Sequence, residues 1–211
     1  MSQKIYNMLK AAGLTHWGAC ALMGNFQAES GLKANNLQNT YEKTLGVGDE
    51  VYTLAVDNGL YKNFVNDQAG YGLAQWTHPD RKRKLLDFVK QANASIGDET
   101  TQVEFAIHEL KTEYPGLFSY LCTVGADGLY AACDRICREY ERPAVNNVGA
   151  RFGFAQALDK FYVLNGIADL DAETAKPTEP TEPETDKLDE ILGELAGMKT
   201  YLELIYAKLE A

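Results

Sequence analysis

The chain has 211 residues and a mass of 23.3 kDa, with 45% hydrophobic and 24% charged residues. This ordinary globular composition excludes a chain disordered throughout, a collagen and a disulfide-knotted miniprotein. The net charge of -10 argues against a nucleic-acid-binding protein, which normally carries a basic face. No apolar run of about 18 residues is present, so we expect no membrane insertion.

The hydrophobic periodicity predicts a mainly helical chain. A first amphipathic helix should end at Gly13, and a second should begin after Thr15 and end at Gly31. Further helices are expected, in chain order, over 49–58, 80–94, 100–114, 127–141 and 147–163. We expect Pro115 to end the helix over 100–114 and Asp127 to cap the next one.

Residues 64–76 do not follow this helical pattern. The stretch is rich in Gly and aromatic residues, which predicts a small sheet or a structured loop. The fold class expected for residues 1–170 is therefore a mainly α domain with one short β or loop segment in its middle.

The end of the chain has a different composition. Residues 171–186 read DAETAKPTEPTEPETD and lack large apolar side chains, which predicts an extended linker rich in Pro, Thr and Glu. Residues 171–211 carry 11 acidic and four basic side chains, so most of the negative charge lies here.

Residues 187–211 contain an unbroken heptad seam, which predicts a C-terminal coiled-coil helix. Leu fills the a positions and Ile or Met the d positions, a choice that favours a homo-oligomer, with a tetramer preferred and a trimer next. The alternative is a helix that packs on the first domain of its own chain. The seam consists of Leu188, Ile191, Leu195, Met198, Leu202, Ile205 and Leu209.

Cysteine and histidine spacing argues against a metal site. Cys133 and Cys137 are one helical turn apart, but no CxxC pair and no nearby His accompany them, so buried thiols are expected. The three His form no metal-binding spacing either. We expect neither a metal nor a cofactor.

The segment GNFQAESG, residues 24–31, carries the first candidate for catalysis. Glu29 falls in the last turn of an otherwise apolar helix. Burial and the negative end of the helix dipole both favour a protonated carboxyl there, which is what a general acid requires. The alternative is an exposed Glu that merely precedes a Gly cap.

The segment GYGLAQWT, residues 70–77, has the composition of a sugar-binding site. The faces of Tyr71 and Trp76 can stack on pyranose rings, and Gln75 can hydrogen-bond to hydroxyl or acetamide groups. The two glycines let the backbone approach a ligand closely. A Gly-rich aromatic segment of the core would look the same.

Together, GNFQAESG and GYGLAQWT resemble the phage tail lysozyme family, within the lysozyme-like group that also holds goose-type lysozymes and soluble lytic transglycosylases. The similarity covers about residues 5–165 and includes Arg81, the corner Glu141-Arg142-Pro143 and Arg151. The resemblance implies a small helical lysozyme-like fold with a short sheet or loop at its cleft.

The resemblance also implies an activity, which is cleavage of the β-1,4 bond between N-acetylmuramic acid and N-acetylglucosamine in bacterial peptidoglycan. Glu29 matches the catalytic acid of the family, and Tyr71, Gln75 and Trp76 match the segment that lines its glycan cleft. The polymer is then the substrate partner of this chain.

An inverting mechanism needs a second carboxylate, about 6.5–9.5 Å from the acid, to activate water. Asp67 is the first candidate because it opens the cleft segment. Other candidates in the preceding stretch are Glu42, Asp49, Glu50 and Asp57. Without a second carboxylate, the 6-hydroxyl of muramic acid would attack C1 of the same sugar and leave a 1,6-anhydro end, as in lytic transglycosylases.

The corner before Pro143 has two interpretations. Glu139, Glu141 and Arg142 could border the cleft. Alternatively, they form a salt-bridged helix end with Arg138 or Arg151.

These features favour a phage endolysin that lyses the bacterial host. The amphipathic N-terminus lacks the apolar core of a signal peptide, so we expect synthesis in the host cytoplasm and action on the wall after release. Alternatives are a lysozyme carried on the virion and a non-catalytic, oligomeric wall-binding or tail protein.

Overall fold

The computed structural model describes residues 2–168, and this part of the chain is mainly helical, which confirms the predicted fold class. None of its helices is long and apolar enough to cross a bilayer. The linker predicted at 171–186 and the heptad seam predicted at 187–211 lie outside the described residues. The helices are α1 Gln3–Ala11, α2 His16–Ser30, α3 Asn39–Leu45, α4 Asp49–Asp57, α5 Pro79–Gln91, α6 Glu99–Thr112, α7 Pro115–Leu121, α8 Leu129–Arg135 and α9 Val148–Leu164.

Helix α2 is the central element of the domain. Residues 18–26 are buried continuously, because α1, α7, α8 and α9 all pack around this part of the helix and leave it no solvent-exposed face. As predicted, the side chain of Thr15 caps its start and Gly31, at φ +66°, ends it in the left-handed conformation.

Gly24 lets α9 approach the middle of α2 at backbone distance. A Cβ atom at this position would lie 2.7 Å from the carbonyl oxygen of Arg151 and 2.8 Å from the amide nitrogen of Ala155. Real Cβ atoms do not come that close to backbone, so only glycine fits here without displacing α9.

Two helices were not predicted, α3 and α7. Pro115 was expected to end a helix, but it begins α7, since proline is well suited to the first turn, where no backbone N–H is needed. The preceding helix, α6, already ends at Thr112, with Glu113 as its C-cap.

The prediction of one helix over 127–141, capped by Asp127, was wrong. Asp127 lies inside a 3₁₀ turn, Ala126–Gly128, and α8 follows it. After α8 the chain widens into a π-helical turn, Ile136–Glu141. This turn ends with a 2.8 Å hydrogen bond from the backbone N–H of Arg142 to the carbonyl oxygen of Cys137, five residues earlier.

The irregular segment before α5 is a structured loop and not a sheet. Tyr71 forms two isolated antiparallel bridges, one with Leu37 and one with Trp76. The side-chain amide of Gln102 accepts the N–H of Leu73 at 2.9 Å and donates to the carbonyl oxygen of Ala34 at 2.6 Å. These contacts tie the loop to α6 and to the segment after α2, beside the end of α2 that carries Glu29.

Candidate active site

Glu29 lies in the last turn of α2, where the buried helix reaches the surface. Its side chain is 17% exposed, so the carboxyl group is largely buried but accessible from one side. It lines a cavity of about 370 Å³ and is the single ionisable group among the described residues that line it. The lining residues are Glu29, Ser30, Gly31, Asn36, Gln38, Asn39, Thr40 and Gln75.

Amide groups dominate this cavity and are held in place by hydrogen bonds. Nε2 of Gln75 donates to the backbone oxygen and to Oδ1 of Asn36, both at 3.0 Å, and to the carbonyl oxygen of Gly72 at 3.1 Å. Gln75 has φ +44°, a conformation that costs a non-glycine residue about 1–3 kcal/mol and persists only where neighbours impose it.

Gln38 joins the cavity wall to the loop. Its Oε1 accepts the N–H of Gly70 at 2.9 Å, and its own N–H donates to the carbonyl oxygen of Gly70 at 2.9 Å. Amide and hydroxyl groups that are held in fixed positions in this way can hydrogen-bond to the hydroxyl and acetamide groups of a saccharide.

Arg151 on α9 neutralises the charge at the end of α2. Its Nη2 donates to Oε1 of Glu29 at 2.5 Å, and its Nη1 donates to Oδ1 of Asn25 at 3.1 Å. Asn25 in turn donates to the carbonyl oxygen of Ala21 at 2.9 Å. The guanidinium is 5% exposed, so it reaches Glu29 from inside the protein and leaves the cavity side open.

Glu141, at the end of the π-helical turn, is a second carboxyl group in this region. Both of its carboxyl oxygens are buried, and neither has a hydrogen-bond partner in the described structure. Burial raises the pKa of Glu141 well above its usual range, and the nearby charge of Glu29 raises it further. Arg81 and Arg151 act in the opposite direction.

A buried hydrogen-bond network around Glu109 holds this turn in place. Oε2 of Glu109 accepts from Nε1 of Trp76 and from the hydroxyl of Tyr140, both at 2.8 Å, and from Nη2 of Arg81 at 2.7 Å. The Arg81 guanidinium also stacks on the Tyr140 ring, 4.5 Å from its centroid. The network therefore anchors the residue immediately before Glu141 to α5, α6 and the loop.

The structure does not bring Asp67 to the cavity. Its side chain is 3% exposed, and its Oδ1 lies 2.5 Å from Nζ of the fully buried Lys82. Its Oδ2 accepts the hydroxyl of Tyr52 at 2.5 Å, and its Oδ1 also accepts the N–H of Ala69 at 3.0 Å. These contacts make Asp67 a buried anchor of the loop and leave it no path to a substrate.

Nor do the aromatic rings of the loop reach the cavity. Tyr71 and Trp76 are both 0% exposed. The Tyr71 hydroxyl is 2.6 Å from Oγ1 of Thr53, and the Trp76 indole is bonded to Glu109. Because neither ring has an exposed face, neither can stack on a sugar in this structure, and Gln75 is the one residue of the three that lines the cavity.

The other acidic candidates also lie elsewhere. Asp49 accepts the N–H of Leu37 at 2.8 Å, and Asp57 accepts from Ser95 at 2.6 Å. Glu50 lines a separate cavity of about 450 Å³. Glu42 belongs to α3 and is not among the residues that line the Glu29 cavity.

Near the corner, Glu139 pairs with Arg135 at 2.7 Å, and Arg138 pairs with Asp134 at 2.6 Å. These are local helical pairs on the surface, so Glu139 takes no part in the salt-bridged helix end with Arg138 or Arg151 that was one of the two interpretations of this corner. The pair of Glu29 with Arg151 was not predicted from the sequence. The two residues are 122 positions apart, and no local pattern indicates that their side chains meet.

No group of three or more His, Cys, Asp or Glu side chains that could hold a metal ion occurs within residues 2–168. Cys20, Cys133 and Cys137 are buried and Cys122 is half-buried, all as thiols. Burial raises the pKa of Cys133 to about 12, which makes its thiolate a minor species at neutral pH.

Two comparisons with known proteins bear on the family of the chain. A search of curated proteins finds no match. The family model described as phage tail lysozyme matches residues 1–162, which include Glu29, the loop, the Glu109 network, Glu141 and Arg151. The match implies activity that degrades peptidoglycan. Because it spans most of the sequence, the chain belongs to the phage tail lysozyme family.

Proposed function

We propose that the protein is a muramidase that cleaves the β-1,4 bond between N-acetylmuramic acid and N-acetylglucosamine, with Glu29 as the general acid. One observation carries the proposal: Glu29 presents the single ionisable group on a cavity otherwise lined, among the described residues, by amides, hydroxyls and glycine. An electroneutral glycan backbone with acetamide groups matches such a surface.

In the first step, Glu29 transfers its proton to the glycosidic oxygen while the bond from that oxygen to C1 of muramic acid breaks. The leaving sugar departs with a hydroxyl group, and C1 develops oxocarbenium character. The carboxylate left on Glu29 is stabilised by Arg151, at 2.5 Å from Oε1. Water then adds to C1, and its proton returns to Glu29.

Lytic transglycosylation is a second candidate, supported by a specific observation. Glu29 is the single carboxyl among the described residues that line the cavity, and Asp67 is held inside the domain by Lys82 and Tyr52. An enzyme without a second carboxylate near the substrate can let the muramic acid 6-hydroxyl attack C1, which gives a 1,6-anhydro end and needs no activated water.

Digestion of purified peptidoglycan in H₂¹⁸O, followed by mass spectrometry, distinguishes these reactions. We expect a muramic acid reducing end that carries one ¹⁸O atom, whereas an anhydro end without ¹⁸O indicates the transglycosylase. Glu29→Gln should abolish release of fragments in both cases. Glu104→Gln, an exposed carboxyl on α6, is the matched control and should retain wild-type activity. An active Glu29→Gln protein, or no glycan release by wild type, would refute the proposal.

We also propose, from sequence alone, that residues 187–211 assemble copies of the chain into a homo-oligomer. Sedimentation equilibrium at micromolar concentration should then give a tetramer or trimer, and a monomer would contradict the proposal. Several copies in one particle would strengthen weak wall contacts through avidity.

In the phage life cycle, we propose that the enzyme acts as an endolysin on the host wall after release from the cytoplasm. Detection of the protein in purified virions would instead favour a virion-borne lysozyme.

A further inference from the structure

Three amide side chains that line the Glu29 cavity have orientations fixed by their hydrogen bonds. A carbonyl oxygen only accepts, so the bonds to the backbone oxygens of Asn36 and Gly72 identify the donor atom of Gln75 as Nε2. The same nitrogen donates to the side chain of Asn36, so the accepting atom there is Oδ1. For Gln38 a backbone N–H of the loop is the donor, so the accepting atom is Oε1. Turning any of the three amides around would break these bonds.

These bonds leave two NH₂ groups unused. Nδ2 of Asn36 and Nε2 of Gln38 make no hydrogen bond within the described part of the chain. Neither nitrogen belongs to the buried polar atoms that lack a partner, so both are accessible in the cavity that the two residues line. Each amide is therefore held in place by its oxygen and presents its NH₂ group as a donor to a ligand.

The third amide presents an acceptor instead. Nε2 of Gln75 donates three times, but its Oε1 accepts no hydrogen bond within residues 2–168. Gln75 and Gln38 meet over Gly70, since a Cβ atom at Gly70 would lie 2.7 Å from Oε1 of Gln75 and 3.3 Å from Oε1 of Gln38. The cavity that holds the Glu29 carboxyl group therefore also contains fixed donors next to a fixed acceptor.

Resting on the proposed function, we propose that Asn36 and Gln38 are specificity-determining residues that require an N-acetyl group on the sugar bound beside Glu29. Their NH₂ groups donate to the acetamide carbonyl oxygen, and Oε1 of Gln75 accepts the acetamide N–H. An acetamide offers both an acceptor and a donor, whereas the ammonium group of an N-deacetylated sugar only donates. With such a sugar the two NH₂ groups would face a cation and stay unpaired, which disfavours binding.

The test compares kcat/KM on soluble glycan strands from peptidoglycan with kcat/KM on the same strands after chemical N-deacetylation. For wild type we expect a preference of about tenfold or more for the acetylated strands. Asn36→Asp and Gln38→Glu each keep the oxygen that accepts the internal hydrogen bond but replace the NH₂ donor with a charged acceptor, which suits an ammonium group. Each variant should therefore lower the preference about tenfold or reverse it. A wild-type enzyme that cleaves both kinds of strand equally would overturn the proposal.

Asn35→Asp is the matched control, because it adds the same charge one residue away and lines the separate cavity of about 450 Å³. Its preference should equal that of wild type. A wild-type preference in both Asn36→Asp and Gln38→Glu, even with an equal loss of activity on both strands, would overturn the role of the two amides and leave that of Glu29 intact. Activity in Glu29→Gln would instead overturn the proposed function.

A second measurement covers the case in which these variants do not fold. It uses Glu29→Gln, which leaves an added oligosaccharide uncleaved. The side-chain NH₂ signals of Asn36 and Gln38 in ¹⁵N spectra should shift with a tetramer of N-acetylglucosamine and not with its N-deacetylated counterpart. Signals that stay unmoved while the acetylated tetramer is bound, or that respond equally to both ligands, would refute the proposal.

Discussion

Nη2 of Arg151 lies 2.5 Å from Oε1 of Glu29, and this contact joins α9 to the last turn of α2 across 122 positions of the sequence. Nη1 of the same guanidinium reaches Asn25, one turn earlier in α2. A rigid fork that contacts two side chains of one helix fixes the direction of the carboxyl group as well as its charge.

Replacement of Arg151 separates these two contributions. Arg151→Met leaves a largely buried carboxyl group without its cation, so we expect a loss of about 3–5 kcal/mol in the free energy of unfolding. Arg151→Lys keeps the charge but not the fork, so we expect a smaller loss of stability and about a tenfold fall in activity. Denaturant unfolding and fragment release measure the two effects, and wild-type stability in Arg151→Met would contradict this account.

Asp67 and Lys82 should contribute to the stability of the domain and not to catalysis. Asp67→Asn breaks a buried ion pair and should cost about 3–5 kcal/mol of stability. Activity per folded molecule should stay at the wild-type level. Lys82→Met combined with Asp67→Asn should recover part of the loss, because no unpaired charge remains. A variant Asp67→Asn that is stable but inactive would restore Asp67 as a catalytic carboxylate.

Trp76→Phe tests whether the indole supports the loop or contacts the glycan. The variant removes the 2.8 Å hydrogen bond to buried Glu109, so we expect a loss of about 1–3 kcal/mol in stability. The KM for glycan strands should not change, because Trp76 has no exposed face. A raised KM with unchanged stability would mean that the ring contacts sugar.

Glu141 should make the stability of the domain depend on pH. Its pKa is raised in the folded state above the reference value of 4.5, so the folded protein binds a proton more tightly than the unfolded chain. This contribution is complete below about pH 4.5 and is lost as pH rises through the raised pKa. Unfolding free energies measured from pH 4 to 8 should therefore fall more steeply for wild type than for Glu141→Gln, and parallel curves would exclude the effect.

Two glycine substitutions should change the stability of the domain in opposite directions. Gly24→Ala places a Cβ against the backbone of α9 and should destabilise the domain by about 1–3 kcal/mol or more. Gly153→Ala, in α9 itself, meets no atom within 4 Å and should stabilise by about 0.4–1 kcal/mol. Thermal unfolding of both variants tests the pair, and equal midpoints would show that α9 can move away from α2.

The features that the sequence predicted correctly depend on local chemistry. Thr15 and Gly31 cap α2 through groups only a few residues away, so the limits of the helix, and the position of Glu29 in its last turn, are readable from the chain. Tyr71 and Trp76 show the limit of composition, since an aromatic Gly-rich segment has the same residues whether it faces a sugar or the core.

The Arg151 contact depends on packing between helices far apart in the sequence. Nothing near Arg151 indicates that its guanidinium reaches α2, and nothing near Glu141 indicates that its carboxyl is buried without a donor. Both follow from the close approach of α9 at Gly24 and from the π-helical turn, and neither feature has a local sequence signal here.

The π-helical turn Ile136–Glu141 has a consequence for insertions and deletions. Its hydrogen bonds span five residues instead of four, so it accommodates one residue more than an α-helical turn. If the same residues wound as an ordinary α-helix, the side chains after the turn would be rotated by about 100°. Tyr140 would then leave Glu109. Loss of one residue inside the turn would instead restore an α-helical turn and keep the register of the chain that follows, so a deletion there would be less damaging than a deletion in α8, which has no extra residue to lose.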